Sequence, residues 1–88
     1  MTKMSFKVFW KEEARNNLAS ISRAIALQIE QKVNNYLIQS PKELGRQLTG
    51  NHNGLYRYRY GDYRILYEID EENNLIIINR VGHRSSVY

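Results

Sequence analysis

Cysteine is absent from the 88 residues, which excludes a disulfide framework and a thiolate zinc site and removes one reason to expect an oxidising compartment. No apolar run approaches the roughly 20 residues needed to cross a bilayer. The opening MTKMSFKVFWKEEAR puts acids directly after a short apolar stretch and lacks the long apolar region of a signal peptide. A soluble, cytoplasmic protein with no membrane partner is therefore expected. Proline occurs once, and there is no repeat, linker or low-complexity tract, so a single domain over residues 1–88 is expected. With only two histidines, no HxxxH and no tight carboxylate cluster, the chain offers no metal-ligand set, and no cofactor is expected. Neither a phosphate-binding glycine loop nor a serine-nucleophile motif is present. His52, among asparagines and a glycine, reads as a surface turn residue.

Tyrosine and arginine are the residues in good supply. The net charge is +4 with a pI near 9.5, which points weakly toward nucleic acid, an acidic partner or an anionic membrane. The placement of the charge says more than its sum. Lysine ends at Lys42, and Arg57, Arg59, Arg64, Arg80 and Arg84 all fall in the strand-like second half. Arginine's planar fork suits bidentate phosphate contact and base stacking, whereas lysine behaves as a point charge. The alternative is that these arginines solvate a sheet or pair with Glu68, Asp70, Glu71 and Glu72.

Residues Ser5 to Trp10 alternate in polarity and predict a first strand. Lys11 to Ile21 follows helical spacing through Ala14, Leu18 and Ile21, with Glu12 and Glu13 at the positive end of the helix dipole. Ser20 or Ser22 is placed to cap a second helix that runs to about Ser40 and stops before Pro41. Its apolar stripe is Ile25, Ile29, Val33 and Leu37. Pro41 to Asn53 reads as a loop with room for one helical turn. Three strands are then predicted: Leu55 to Tyr60, Tyr63 to Asp70 after a Gly61-Asp62 hairpin turn, and Leu75 to Val81. The order β-α-α-β-β-β gives an α+β fold, with an antiparallel helical hairpin on one face of a four-stranded, mainly antiparallel sheet.

Strand alternation separates two faces. Tyr56, Tyr58, Tyr60, Tyr63, Ile65, Tyr67 and Ile69 form the natural core against the helices. Arg57, Arg59 and Arg64 then share the opposite, open face, where like charges repel and Glu68 is the only strand acid. That excess of cations predicts an anion site. The last strand adds Arg80, and Gly82, His83, Arg84 and Tyr88 follow it. A histidine, an arginine and a tyrosine beside an arginine face supply the parts for phosphodiester cleavage. A base takes the proton of a ribose 2′-hydroxyl, arginines stabilise the phosphorane, and an acid protonates the leaving 5′ oxygen. Histidine is the one side-chain type in this stretch whose unperturbed pKa lies near neutrality, which makes His83 a candidate base. The bland readings are a turn residue for His83 and C-terminal packing for Tyr88.

Two stretches, LTGNHNGLYRYRYGDYRILYEID and INRVGHRSSVY, resemble the RelE/ParE superfamily of toxins. They match its run of Leu-x-Gly, Tyr/Trp-Arg-x-Arg, Gly-Asp-Tyr-Arg and Gly-His-Arg-x-x-Val-Tyr, and the inferred element order also fits. The resemblance implies the toxin half of a toxin–antitoxin pair, one that cuts messenger RNA in the ribosomal A site without a metal. Arg57 and Arg59 match the basic pair of the second strand, Arg64 the phosphate-stabilising arginine, Arg84 the C-terminal cation and Tyr88 the C-terminal tyrosine. His83 stands where well-known RelE toxins carry lysine. Arg57 and Arg59 replace lysines, which keeps charge but makes either a poor proton acceptor. The implied partners are a cognate antitoxin and mRNA on the ribosome, with operator DNA reached only through the antitoxin. A ParE-like inhibitor of DNA gyrase and an RNA-binding module without activity remain alternatives.

Overall fold

The computed structural model of the chain describes residues 6–50 and 54–85. His52 and Tyr88 lie outside the described residues. Strand β1 (Lys7–Trp10) alternates as its sequence requires, exposing Lys7 and Phe9 and half-burying Val8 and Trp10. Helix α1 (Glu12–Ser20) carries its two acids in the first turn, where the N-terminal dipole favours them, and buries Ala14 and Leu18. Helix α2 (Arg23–Asn35) is capped by Ser22, whose Oγ accepts from the Ile25 N–H at 3.2 Å. It ends earlier than the expected Ser40. Asn34 and Asn35 are weak helix formers, and a tighter 3₁₀ turn at Leu37–Gln39 carries Leu37 into the core. Among the described residues no helix is long and apolar enough to cross a membrane.

The expected loop after Ser40 contains a short helix α3 (Pro41–Leu44), with proline in its first turn, and a two-residue strand β2 (Arg46–Gln47). Strands β3 (Tyr56–Tyr60), β4 (Tyr63–Asp70) and β5 (Leu75–His83) complete one sheet in the order β1-β5-β4-β3-β2. The class is α+β, as expected. The correction is a fifth strand, β2, which pairs antiparallel with β3. Only β1 runs parallel to its neighbour, β5. The hairpin between β3 and β4 turns at Gly61, whose φ of 59° any side chain would resist, as a two-residue turn of the primed class demands.

The core lies on one face of the sheet. Ile65, Tyr67, Ile76, Ile78 and Val81 meet Ala14, Leu18, Ile29, Val33 and Leu37. Tyr67 sits at its centre with no exposed surface, its hydroxyl donating to the Pro41 carbonyl at 2.6 Å and its ring stacked on Tyr56. Burial pushes the Tyr67 hydroxyl's pKa well up, so it remains a donor at all ordinary pH.

Beyond Trp10, β1 stops and the edge of β5 passes to α1. The Lys11 N–H donates to the Ile78 carbonyl at 3.0 Å, and the Val81 N–H donates to Asn17 Oδ1 at 2.9 Å. A helix side chain thus takes the place of a missing strand. Asn17→Ala leaves that part-buried N–H unmatched, and is expected to cost about 1–3 kcal/mol in urea unfolding, with Asn17→Asp recovering most of the loss. Equal stability of Asn17→Ala and wild type would remove the bond's importance.

At the β4–β5 turn, Asp70 accepts from the Asn73 side chain at 2.9 Å and the Asn73 N–H at 3.1 Å. These bonds, the side-chain one first, hold the Asp70 carboxyl below its ordinary pKa. A lowered carboxylate contributes stability that is complete above the unfolded value and is lost as pH falls through the folded one. The stability advantage of wild type over Asp70→Ala should therefore be present at neutral pH and fade below about pH 4. An advantage undiminished in strong acid would show that the carboxylate is not its source.

Candidate nucleic-acid interface

The face of the sheet away from the core is divided in two along the strands. At one end Phe9, Ile77 and Glu68 lie in register, as do Lys7, Leu75 and Asp70, so Asp70 joins Glu68 as a second strand acid on this face, contrary to the expectation that Glu68 stands alone. At the other end the row Arg46–Arg57–Leu66–Arg80 lies beside the row Arg59–Arg64–Gly82. A register shift separates the ends: Leu66 faces Arg80 while Tyr67 faces Ile78, so Asn79 is the extra residue of a β-bulge. The bulge lets Arg80 face Leu66 although Ile78 and Val81 both enter the core. No strand acid lies in either basic row.

This face is not open throughout, as alternation alone suggested. Arg59 is exposed and Arg57 partly so, but Arg64 is 8% exposed and Leu66 only 3%. Both belong to β4, the middle strand, where neighbours on each side wall in a side chain. The Arg64 Nη1 donates to the Tyr63 carbonyl at 3.3 Å. Among the described residues neither Arg59 nor Arg64 has a carboxylate within ion-pairing distance. Directly opposed guanidinium-bearing strands, one of them buried, are costly unless an anion joins them.

Arg80 behaves differently. Its Nε is 3.0 Å from Glu13 Oε2, so the pairing alternative holds here, with an acid from α1 rather than from the strands or turn. Glu68, at the far end, pairs with Lys11 at 3.7 Å. Arg84 is exposed in the turn after β5, and its N–H donates to the Asp62 carbonyl at 2.8 Å, tying that turn to the β3–β4 hairpin.

His83 is not on the arginine face. Strand β5 runs two residues past the expected Val81, and alternation continues with it, so His83 shares the helix side with Val81 and faces Tyr63. Its ring meets the Tyr63 ring edge-on, with centroids 5.8 Å apart. Nδ1 lies 2.9 Å from Ser85 Oγ and accepts from the Ser85 N–H at 3.3 Å. The cleft His83 lines also contains Glu13, Asn17, Arg80 and Gly82. Arg80 thus stands in register with the arginine rows and also lines the histidine's cleft.

Arg46 was missed by the sequence reading. Only the pairing of a two-residue strand places it opposite Arg57, and two residues show no period; its charge was the single available signal.

A family model described as the ParE toxin of type II toxin–antitoxin system, parDE, matches residues 8–88. The chain belongs to this RelE/ParE toxin superfamily. The toxin is 31% identical to Toxin RelG of Mycobacterium tuberculosis over 97% of its own length and 98% of that protein's. It is 32% identical to Toxin RelE of the same organism, over 85% of its own length and 77% of that protein's. Its fold superposes with a TM-score of 0.88 on a chain in the crystal structure of the toxin–antitoxin complex RelBE2 from M. tuberculosis, at 30% identity, covering 92% of the toxin and all of that chain. The toxin is RelE-like in these comparisons.

Proposed function

We propose that this toxin is a metal-independent, ribosome-dependent mRNA endonuclease that inhibits translation. The observation that carries the proposal is the pair of adjacent rows in which Arg59 stands opposite the buried Arg64, with Arg46 and Arg57 alongside and no strand acid between them. The similarity to RelG and RelE toxins supports the same reading. In the reaction the ribose 2′ oxygen attacks the adjacent phosphorus and the bond to the 5′ oxygen breaks. The 2′ proton passes to a base and a proton is delivered to the 5′ oxygen, leaving a 2′,3′-cyclic phosphate and a 5′-hydroxyl. Arg64 stabilises the phosphorane, and Arg57 and Arg59 hold flanking phosphates. Arg80 exchanges Glu13 for phosphate, while His83, Arg84 and Tyr88 complete the catalytic set. The partners are mRNA in the A site and a cognate antitoxin with an acidic or amphipathic segment that covers the helices or the basic face.

Toeprinting of translating ribosomes tests this directly. A new stop at the A-site codon, dependent on the protein, is expected; an uncut codon at saturating protein overturns the proposal. The matching family model carries the ParE name, which keeps a second reading alive, inhibition of DNA gyrase without RNA chemistry. Loss of gyrase supercoiling with ribosomes left uncut would establish that reading.

A further inference from the structure

We infer that Ser85 positions His83 so that Nε2 is always the protonated nitrogen, which makes His83 a hydrogen-bond donor to a phosphate oxygen rather than the base that takes the ribose proton. The inference rests on the RNA-cleavage reading for its phosphate, but its geometry stands by itself. A backbone N–H can only donate, and that of Ser85 is directed at Nδ1. Nδ1 therefore presents its lone pair, and a neutral imidazole in this setting must carry its proton on Nε2. The Ser85 hydroxyl, 2.9 Å from Nδ1, works in either charge state. It donates to the neutral ring, and it rotates to accept when Nδ1 takes a second proton. Nε2 keeps its hydrogen in both states.

Two other contacts hold this arrangement. The edge-on Tyr63 ring opposes swings of the imidazole out of its plane, and a flip within that plane would give up both Ser85 contacts to Nδ1. The Arg84 N–H bound to the Asp62 carbonyl anchors the turn, which returns Ser85 over the ring two residues after His83. Arg80 and Gly82 line the same cleft as His83, which brings a guanidinium-bearing residue and the imidazole to one candidate site for a phosphate. The lone pair of His83 is directed at Ser85, so the proton from the 2′-hydroxyl goes to another group.

Long-range ¹H–¹⁵N correlation spectra of the full chain read the tautomer. The neutral ring should show a bare Nδ1 and a protonated Nε2, with the preference kept in Ser85→Ala and Ser85→Thr, which retain the backbone N–H, and weakened in Ser85→Pro, which lacks it. A protonated Nδ1 beside a bare Nε2 overturns the assignment, whatever the protein does to RNA. Added inorganic phosphate should shift the Nε2 resonance in wild type and less so in Ser85→Pro; no shift in wild type overturns the phosphate contact. In ribosome cleavage, His83→Gln places an amide N–H near the Nε2 position and cannot serve as a base near neutrality. It should recover at least about tenfold of the activity that His83→Ala loses. Glutamine as damaging as alanine overturns the donor role, whereas an unmodified protein that cuts nothing overturns the nuclease reading alone.

Discussion

Arg64→Ala is expected to lower A-site cleavage by about 10²–10³-fold while leaving the protein folded, because one preorganised donor to a developing phosphorane contributes on that order. Arg64 is the only charged side chain among the described residues to be buried, and the strand opposite presents Arg59. A buried cation helps catalysis because water does not screen it and its position costs nothing further at the moment of reaction. Its stability cost runs the other way. Removing the charge relieves desolvation and removes repulsion, which offsets the lost packing of the aliphatic stem. The unfolding free energy of the variant should therefore lie within about 1 kcal/mol of wild type. Arg64→Lys keeps the charge without the fork and should recover only part of the rate. Cleavage kinetics beside urea unfolding check both statements. Full cleavage by a folded Arg64→Ala protein would remove Arg64 from the reaction.

Gly45→Ala should be strongly destabilising through steric overlap, unlike alanine at Gly50, Gly54 or Gly61, where an added Cβ meets nothing within 4 Å. The backbone at Gly45 is extended, with φ −99°, so alanine meets no conformational penalty there. The obstacle is the close approach of Tyr67. A Cβ on Gly45 would overlap the Tyr67 hydroxyl and stand 3.2 Å from the Arg57 carbonyl oxygen. The ring cannot retreat, because Tyr67 is wholly buried and stacked on Tyr56. Overpacking and the loss of the bond to the Pro41 carbonyl together should cost about 3 kcal/mol. In a domain of this size that lowers the melting temperature by roughly 15 °C. Tyr67→Phe alone should cost about 1–2 kcal/mol through the orphaned carbonyl. Added to Gly45→Ala it should recover only part of the loss, since it removes the overlapping oxygen but leaves the ring's Cζ 2.9 Å from the new Cβ. Additive losses in the double variant would disprove the overlap.

Both predictions depend on features that differ in how far the sequence announced them. Strand β4 spans Tyr63–Asp70 as its alternation indicated, Ser22 caps α2, and Gly61 turns the hairpin. Each is a local matter, in which a period of two, a capping hydroxyl or a positive φ is written into a few adjacent residues. The separation of Tyr56, Tyr58, Ile65 and Tyr67 from Arg57, Arg59 and Arg64 is of the same kind. The motifs spread through the second half were enough to indicate the superfamily to which the chain belongs.

Tertiary structure decided what depends on pairing between distant segments. Arg64 is buried because β4 became the middle strand of five. Arg80 reaches Leu66 because one extra residue, Asn79, bulges from a run that otherwise reads as regular. It meets Glu13 because α1 replaces β1 along the edge of β5. His83 lies on the helix side because β5 continued two residues further than its apolar run, and Arg46 joined the basic face through a strand too short to have a period. The sequence alone thus determined a helix-backed sheet whose second half is rich in arginine. Only register and the elements packed beside each strand determined which arginine is buried and which is paired with an acid, because both depend on segments far apart in the chain.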